Sequence, residues 1–289
     1  MIPPAFDYLA PTSLPEAIAM LQQHGDGAKI LSGGHSLIPM MKLRLAMPET
    51  LIDINGIPDL DYITEADGVL RIGALTREAA LEDSALIRSK YPIIYDTAVM
   101  IADPQVRNLA TVGGNLAHGD PGNDHPATML ALGARVQVVG PGGQRIIPIE
   151  AFFVDFFMTA LAPNEILTEI QVPTPPSGSG GAYLKLERKV GDYAVAGVAA
   201  QVALDEQGVC RYAGIGLTNV GPVSLKANLA EAHLLGNPLD EASIGEAARL
   251  AAEASDPGSD LRGSEAYKRA MVEELTKRAL RRAAERARG

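Results

Sequence analysis

The first regular feature of the chain is a set of apolar positions at helical spacing over residues 14–24. Ser13 and Glu16 have the spacing of a capping box at its start, and Gly25 stands at its end. Because the apolar positions recur every three to four residues, they predict one amphipathic helix near the N-terminus.

Short apolar runs bounded by Gly, Pro and Asp follow, and they predict strands. These runs cover residues 28–32, 50–57, 68–76, 135–140, 144–152 and 165–173. The fourth and fifth runs flank Pro-Gly-Gly and predict a hairpin. Thr76 is a possible N-cap for a helical region over 77–102, which Pro92 interrupts. Residues 103–134 predict a long loop followed by a helix.

A segment rich in Pro, Gly and Ser at residues 174–181 predicts the main domain boundary. Beyond it the pattern predicts three antiparallel strands (182–188, 194–205 and 208–220) and then three helices (224–235, 241–255 and 264–287). We therefore expect an α+β protein with a domain over 1–177, divided into subdomains of about 1–57 and 58–177, and a C-terminal domain over 178–289.

Charge and cysteine content narrow the function. The formal net charge of −10 argues against nucleic acid and anionic membranes as partners, although backbone amides can still bind a phosphate locally. Cys210 is the only cysteine, so this sequence holds neither an internal disulfide nor a cysteine-ligated cluster. We find no signal-peptide pattern and no apolar run of about 18 residues, and so expect a cytoplasmic protein without a membrane span.

Two Gly-Gly pairs stand at junctions between periodic segments, in "SGGHS" at 32–36 and "TVGGN" at 111–115. Consecutive amides without a Cβ can turn toward one anion, and Ser36, Thr111 and Asn115 can add side-chain hydrogen bonds. Two such loops can hold the two phosphates of a dinucleotide. Neither is a G-x-G-x-x-G or a P-loop, which disfavours a Rossmann site and a P-loop NTPase.

Three segments together resemble the FAD-binding medium subunit of molybdenum hydroxylases, a family that includes the FAD domain of xanthine dehydrogenases. They are "AKILSGGHSLIPMMKLRL", "ATVGGNLAHGDPGNDHPA" and "LERKVGDYAVAGVA". The C-terminal "SDLRGSEAYKRAMV" also resembles that family, so the similarity covers essentially the whole chain. Within the family, the chain is most like the carbon monoxide dehydrogenase medium chain.

The resemblance implies a PCMH-type FAD-binding region of two small α/β subdomains, followed by a C-terminal domain with a three-stranded antiparallel sheet and helices. It also implies the residues that contact FAD. For the pyrophosphate they are Lys29, Ile30, Leu31, Ser32, Gly33, Gly34, His35, Ser36, Thr111, Val112, Gly113, Gly114 and Asn115. For the ribityl or phosphate region it is Asp124, and Leu161 is a further contact. Lys185 is expected near the isoalloxazine, Tyr193 over one face of the flavin ring, and Ile101 near the adenine, where relatives carry an aromatic residue.

Two of these residues also have plainer interpretations from the residues alone. Tyr193 follows Gly191 and Asp192, which suits a half-buried tyrosine at the start of a strand as well as a ring that stacks on a flavin. Lys185 alternates with leucines on its strand, which suits a solvent-facing lysine as well as a cofactor contact.

Other polar residues suggest sites that we do not assign. His35, His118 and His125 lie in loops without the helical spacing of a zinc site, and we predict no metal. Asp103, Asp120 and Asp124 stand beside Pro and Gly, where turn formation is a simpler role than acid–base catalysis. We therefore assign no catalytic residue.

The resemblance implies a flavoprotein subunit of a complex. A large subunit would oxidise substrate at a molybdenum cofactor, and two iron–sulfur clusters of a small subunit would pass electrons to FAD and on to an external acceptor. Family complexes are dimers of heterotrimers. Two other functions stay open: a self-sufficient FAD-dependent oxidoreductase with its own substrate site, and a non-catalytic module that binds a phosphate ligand.

Overall fold

The computed structural model describes residues 2–289, and Met1, where the first predicted domain begins, lies outside them. The helices are α1 (Leu14–His24), α2 (Leu37–Lys42), α3 (Glu78–Asp83), α4 (Ala85–Lys90), α5 (Pro92–Val99), α6 (Pro104–Arg107), α7 (Val112–Ala117), α8 (His125–Ala131), α9 (Asn228–Leu234), α10 (Glu241–Ala254) and α11 (Glu265–Arg288). Single 3₁₀ turns cover Gly25–Gly27 and Ile149–Ala151.

The strands form three main sheets and one small hairpin. They are β1 (Asp7–Leu9), β2 (Ala28–Leu31), β3 (Thr50–Asp53), β4 (Ile63–Ala66), β5 (Val69–Gly73), β6 (Arg135–Gly140), β7 (Gly143–Pro148), β8 (Phe153–Asp155), β9 (Met158–Thr159), β10 (Ile166–Pro173), β11 (Ser179–Leu186), β12 (Ala196–Leu204), β13 (Cys210–Thr218) and β14 (Leu225–Lys226). The predicted α+β class is confirmed.

The first sheet is small and parallel, with the strand order β1-β3-β2. Helix α1 is capped as predicted by Ser13, whose hydroxyl accepts from the amide of Glu16 at 3.4 Å. The reciprocal bond of the predicted capping box falls one residue earlier, since Glu16 Oε2 accepts from the Thr12 amide at 2.8 Å. The glycine-rich segment leaves the carboxyl end of β2.

The second sheet is antiparallel, with the order β4-β5-β10-β6-β7, and contains the predicted hairpin β6–β7. The predicted N-cap at Thr76 is wrong. Its hydroxyl donates to the Tyr62 carbonyl at 3.0 Å and accepts from the Tyr62 amide at 3.2 Å, so it joins the two strand ends instead. Helix α3 begins two residues later, at Glu78.

The region between the second and third sheets holds more helix than predicted. Residues 77–102 form three short helices, α3, α4 and α5, and Pro92 is the first residue of α5, where its missing amide costs nothing. The prediction of one long loop before a helix over 103–134 is wrong, because α6 and α7 both precede α8. Asp103 and Thr111 cap α6 and α7 with their side chains.

The third sheet is antiparallel, with the order β11-β12-β13-β14. The predicted three-stranded sheet is therefore extended by the two-residue strand β14. Helix α8 covers one face and α11 the other, and each comes close enough to exclude a Cβ. Gly214 and Gly216 face the backbone of α8, and Gly180 faces that of α11. Strand β12, in the interior of this sheet, is consequently buried at every position.

Apolar packing continues across residues 174–181. The main hydrophobic cluster joins helices and strands of the second sheet to Tyr183 and Ala199 of the third sheet. The domain bounds predicted from the sequence stay a prediction. In the described part of the chain, no helix combines the length and the apolar character that crossing a bilayer requires.

The end of helix α11 is held by an ion pair with α5. Arg286 donates to both carboxylate oxygens of Asp96, at 2.6 and 3.1 Å, and to the Gly181 carbonyl at 2.6 Å. Asp96 also accepts from the amide of Tyr183 at 3.4 Å. The Asp96 carboxylate therefore connects the C-terminal helix α11 to strand β11.

We expect Arg286→Ala to lower the free energy of unfolding by about 1.5–3 kcal/mol, because it leaves the buried Asp96 carboxylate short of donors. Denaturant unfolding of the full chain measures this change. Arg278→Ala is the control, since Arg278 pairs only with Glu274 on the exposed face of the same helix. Equal effects of the two substitutions would contradict the role of the Asp96 contact.

Candidate functional site

The two Gly-Gly segments lie side by side. The hydroxyls of Ser32 and Thr111 are 3.1 Å apart. A Cβ on Gly33 would lie 2.5 Å from the Leu109 carbonyl oxygen and 2.7 Å from the Ala110 Cα. Gly33 is thus needed for two backbones to meet, which is the reason that only a glycine suits this position.

The first segment presents a row of free amides. Among residues 2–289, the backbone N–H groups of Gly33, Gly34, His35 and Ser36 donate to no protein acceptor. Gly34 has a φ of +74°, which turns the chain between β2 and α2. Successive unpaired amides in such a turn form a concave site for an anion. The first segment therefore has amides available to an anion, and its contact with a phosphate stays a prediction.

The second segment differs from the prediction. Residues 111–115 are not an open loop but the first turn of α7, with Thr111 as N-cap. Their amides have partners inside the protein: Val112 N donates to Thr76 O, Gly113 N to Ala74 O, Gly114 N to Thr111 Oγ1 and Asn115 N to Thr111 O. The expectation of free amides on both segments is therefore wrong for this one.

What the second segment offers is a side chain and a tight fit. Asn115 Oδ1 is buried and has no hydrogen-bond partner among the described residues, so it is open to a ligand donor. A Cβ on Gly114 would lie 2.7 Å from Thr111 Oγ1 and 2.8 Å from Ser32 Oγ. Gly114 therefore leaves room for the Thr111 and Ser32 hydroxyls between the segments.

A buried charged network lies at the start of α8. Asp124 is 5% exposed, and its Oδ2 accepts from Lys185 Nζ at 3.0 Å. Lys185, whose side chain is 2% exposed, also donates to the Met100 carbonyl at 3.1 Å. Lys185 is therefore not the solvent-facing lysine that strand alternation left open. Burial raises the pKa of Asp124, and the Lys185 ammonium opposes that shift.

Sequence reasoning missed Tyr183. Its phenol donates to Asp124 Oδ1 through a short hydrogen bond, and the residue is 2% exposed. Tyr183 lies two positions before Lys185 on β11, so both side chains point to the same face of the strand. Once Lys185 was a candidate, its i, i+2 spacing from Tyr183 was the sequence signal that could have identified Tyr183.

Tyr193 lies in the loop before β12 and not at the start of a strand. Its ring is 45% exposed, and the Arg262 guanidinium lies 5.6 Å from the ring centroid. A Cβ on Gly122 would come within 2.9 Å of the ring, so the segment before Asp124 runs alongside it. Partial burial and the nearby Asp120 carboxylate raise the pKa of Tyr193 to about 12, which keeps the phenol neutral.

The remaining predicted contacts are mainly apolar. Ile101 is buried beside Ala102, whose carbonyl meets the Gly191 turn that leads to Tyr193. Leu161 is partly buried and packs against the main hydrophobic cluster. Lys29, Ile30 and Leu31 form β2 and lead into the free amides, with Lys29 exposed.

The histidines have separate surroundings. His125 Nε2 lies 2.7 Å from Glu78 Oε2, with both side chains fully buried. His118 packs its ring edge against Phe157 with centroids 5.0 Å apart, and burial lowers its pKa. Within residues 2–289, no three His, Cys, Asp or Glu side chains are grouped closely enough to hold a metal ion.

These groups fit a flavin dinucleotide in four respects. Unpaired amides suit phosphate oxygens, an unpaired buried carbonyl suits a hydroxyl donor, and the Asp124–Lys185 pair offers both charges to polar atoms of a ribityl chain or flavin ring. The half-exposed ring of Tyr193 offers an aromatic face.

Comparison with protein families gives two matches that together cover most of the chain. The model described as "FAD binding domain in molybdopterin dehydrogenase" matches residues 4–175. The model described as "CO dehydrogenase flavoprotein C-terminal domain" matches residues 181–283.

Known proteins resemble the chain over their full length. The carbon monoxide dehydrogenase medium chain of Hydrogenophaga pseudoflava is 47% identical over 97% of both chains. The 6-hydroxypseudooxynicotine dehydrogenase complex subunit alpha of Paenarthrobacter nicotinovorans is 39% identical over 100% of this chain and 97% of its own. Among solved structures, a chain of the H. pseudoflava carbon monoxide dehydrogenase aligns with a TM-score of 0.97 and 48% identity, over 99% of each chain.

Proposed function

Because the chain belongs to the family of FAD-binding subunits of molybdopterin dehydrogenases, we propose that it carries electrons from the iron–sulfur clusters of a partner subunit to an external acceptor. Bound FAD supplies the electron-transfer chemistry, and the protein supplies binding, orientation and electrostatics. Its most similar counterpart in function would be a carbon monoxide dehydrogenase medium chain.

The row of unpaired amides at Gly33–Ser36 is the observation that carries the proposal. Four N–H groups without a protein acceptor at one turn form a site that suits an anion. In this proposal they bind the FAD diphosphate. Ser32, Thr111 and Asn115 add side-chain contacts beside them, so the segments 29–36 and 111–115 together hold the phosphates.

Other residues would orient the rest of the cofactor. Asp124 would accept from the ribityl chain, Lys185 would face polar atoms of the isoalloxazine, and Tyr193 would cover one face of that ring. Ile101 would give an apolar contact to the adenine, and Leu161 a further apolar contact. No nucleophile or general base is needed for this role.

A role within a complex is suggested by the family, whose members include a subunit of a named dehydrogenase complex, and the cysteine content of this chain fits such a role. Cys210, its single cysteine, is buried, and an iron–sulfur cluster needs several thiolates. We therefore propose a small subunit with two such clusters and a large subunit with the molybdenum cofactor, assembled as a dimer of heterotrimers in the cytoplasm. The large subunit would choose the substrate.

The proposal is tested by co-expressing the chain with the subunits that neighbouring genes encode and purifying them together. We expect a yellow preparation in which FAD is reduced by substrate only when the partners are present. Turnover of an organic substrate by the isolated chain would instead indicate a self-sufficient flavoenzyme. A colourless protein that takes up no FAD, alone or with partners, would indicate a module for another phosphate ligand.

We expect Tyr193→Ala to weaken FAD binding by no more than about tenfold, because a stacked ring contributes about 0.5–1.5 kcal/mol. The absorption spectrum and the potential of the bound flavin should nevertheless change. Tyr95→Ala is the matched control, since Arg88 lies over the Tyr95 ring at 5.3 Å and neither residue is among those proposed to contact FAD. A spectrum and a potential equal to those of the unmutated protein would contradict the stacking role.

A further inference from the structure

Tyr183 is buried and contacts Asp124, one of the residues proposed to meet the flavin. It pairs with Ala199 in the β11–β12 ladder, and its hydroxyl lies over Gly197, where a Cβ would come within 2.6 Å of Tyr183 Oη. The side chain reaches from the third sheet to Asp124 at the start of α8. A glycine on the neighbouring strand thus makes room for one phenol that contacts one carboxylate.

The hydrogen bonds divide the two oxygens of Asp124 between different donors. Tyr183 donates to Oδ1, and Lys185 donates to Oδ2 at 3.0 Å. Burial and the adjacent carboxylate raise the pKa of Tyr183 well above its ordinary value, so the phenol keeps the proton that it donates. Each carboxylate oxygen of Asp124 therefore accepts a hydrogen bond from a different side chain.

We propose that Tyr183 is a positioning residue for the flavin, which holds Asp124 as a carboxylate aimed at Lys185 and thereby sets how much positive charge Lys185 presents to the isoalloxazine. This inference rests on the proposed function. Lys185 Nζ has one close carboxylate oxygen, from Asp124, while Glu187 Oε2 is farther away at 3.7 Å. The state of Asp124 is consequently the main local control on the net charge beside the ring.

Several titratable groups surround this contact. Lys185 and Glu187 lie on β11, His125 follows Asp124 on α8, and Tyr193 approaches from the loop before β12. On the other side, the Asp96–Arg286 pair meets the Tyr183 backbone. Of these groups, only Lys185 and Tyr183 hydrogen-bond to the carboxylate of Asp124.

Removing the phenolic hydroxyl tests the inference. In Tyr183→Phe, Asp124 Oδ1 loses its donor, so protonation of the carboxyl becomes easier and the site becomes more positive. Since a more positive site favours electron uptake, the midpoint potential of bound flavin at pH 7 should rise by about 30 mV or more, equivalent to a tenfold change in a two-electron equilibrium. The difference should shrink as the pH rises and Asp124 ionises in both proteins.

The measurement uses the full chain, purified with the subunits that accompany it and saturated with FAD. Tyr212→Phe is the matched control, because Tyr212 donates to the Ala131 carbonyl at 2.8 Å from β13 and does not contact Asp124. In an Asp124→Asn background, Tyr183→Phe should add no further change of potential. An additional change there would show that Tyr183 does not act through Asp124.

Equal midpoint potentials of wild type and Tyr183→Phe at every pH would overturn the role of Tyr183. The proposal that the chain binds FAD would not be affected by that result. A wild-type protein without FAD would instead overturn the proposed function. If Tyr183→Phe does not fold, Gly197→Ala displaces the hydroxyl but keeps the ring, and the same positive shift is expected. No shift in Gly197→Ala would then overturn the inference.

Discussion

Gly33→Ala is expected to weaken FAD binding by up to roughly 100-fold, because a methyl group at this position has no space. The new Cβ would meet two backbone atoms of the neighbouring segment, the Leu109 carbonyl oxygen at 2.5 Å and the Ala110 Cα at 2.7 Å. Backbone cannot rotate away as a side chain can, so the two glycine segments must separate. Overpacking of this kind costs about 1–3 kcal/mol.

Flavin fluorescence titration of the purified protein measures the change in affinity. Gly142→Ala is the control, because Gly142 lies in the turn of the β6–β7 hairpin and its Cβ would meet no atom within 4 Å. Its affinity for FAD and its thermal midpoint should match the wild type. FAD affinity in Gly33→Ala equal to that of Gly142→Ala would show that the close approach of the segments is not needed for binding.

Lys185→Met is expected to lower the free energy of unfolding by about 3–5 kcal/mol at pH 8, because it leaves the buried Asp124 carboxylate without its counter-ion. The methionine keeps most of the apolar volume of the lysine stem, so the effect reports mainly on charge. Urea unfolding of the full chain without added FAD measures it. FAD binding should weaken as well.

The loss should depend on pH in a definite direction. Burial already raises the pKa of folded Asp124, and removing Lys185 raises it further above the unfolded value of about 3.9. Since the folded state then prefers the protonated carboxyl, the destabilisation is largest above the folded pKa and decreases as the pH falls through it. The difference from wild type should therefore shrink between pH 8 and pH 5.

Lys277→Met is the matched control for charge removal. Lys277 pairs with Glu273 one turn earlier on α11, and both side chains have access to solvent. A pair of this kind contributes about 0.3–0.5 kcal/mol, so the variant should unfold almost like the wild type at every pH. A pH-independent loss in Lys185→Met would contradict the proposed burial of a charged Asp124.

Local patterns in the sequence predicted the elements whose cause is local. Helix α1 follows from Ser13 and its apolar spacing, and the β6–β7 hairpin follows from two strands around Pro-Gly-Gly. The prediction of a loop at "TVGGN" was wrong. Gly-Gly favours loops, but contacts with residues distant in the sequence stabilise a helix here. Val112 and Gly113 donate to carbonyls of residues 76 and 74, which no local pattern reveals.

Residues of the candidate site were harder to predict from the chain alone. Alternation on β11 separates the two faces of the strand, but it cannot show that helices cover both faces. The sequence alone was therefore equally compatible with a solvent-exposed Lys185. Tyr183 and Asp124 are 59 positions apart, and their contact depends on how α8 packs against the third sheet. Only the family resemblance brought Asp124 and Lys185 into one site beforehand.

The most direct test of the account is an experimental structure of the chain with FAD bound. We expect diphosphate oxygens within about 2.7–3.2 Å of the amide nitrogens in the turn from Gly33 to Ser36, and the isoalloxazine between Tyr193 and Lys185. A bound FAD whose phosphates lie elsewhere, with those amides still unpaired or facing solvent, would contradict it.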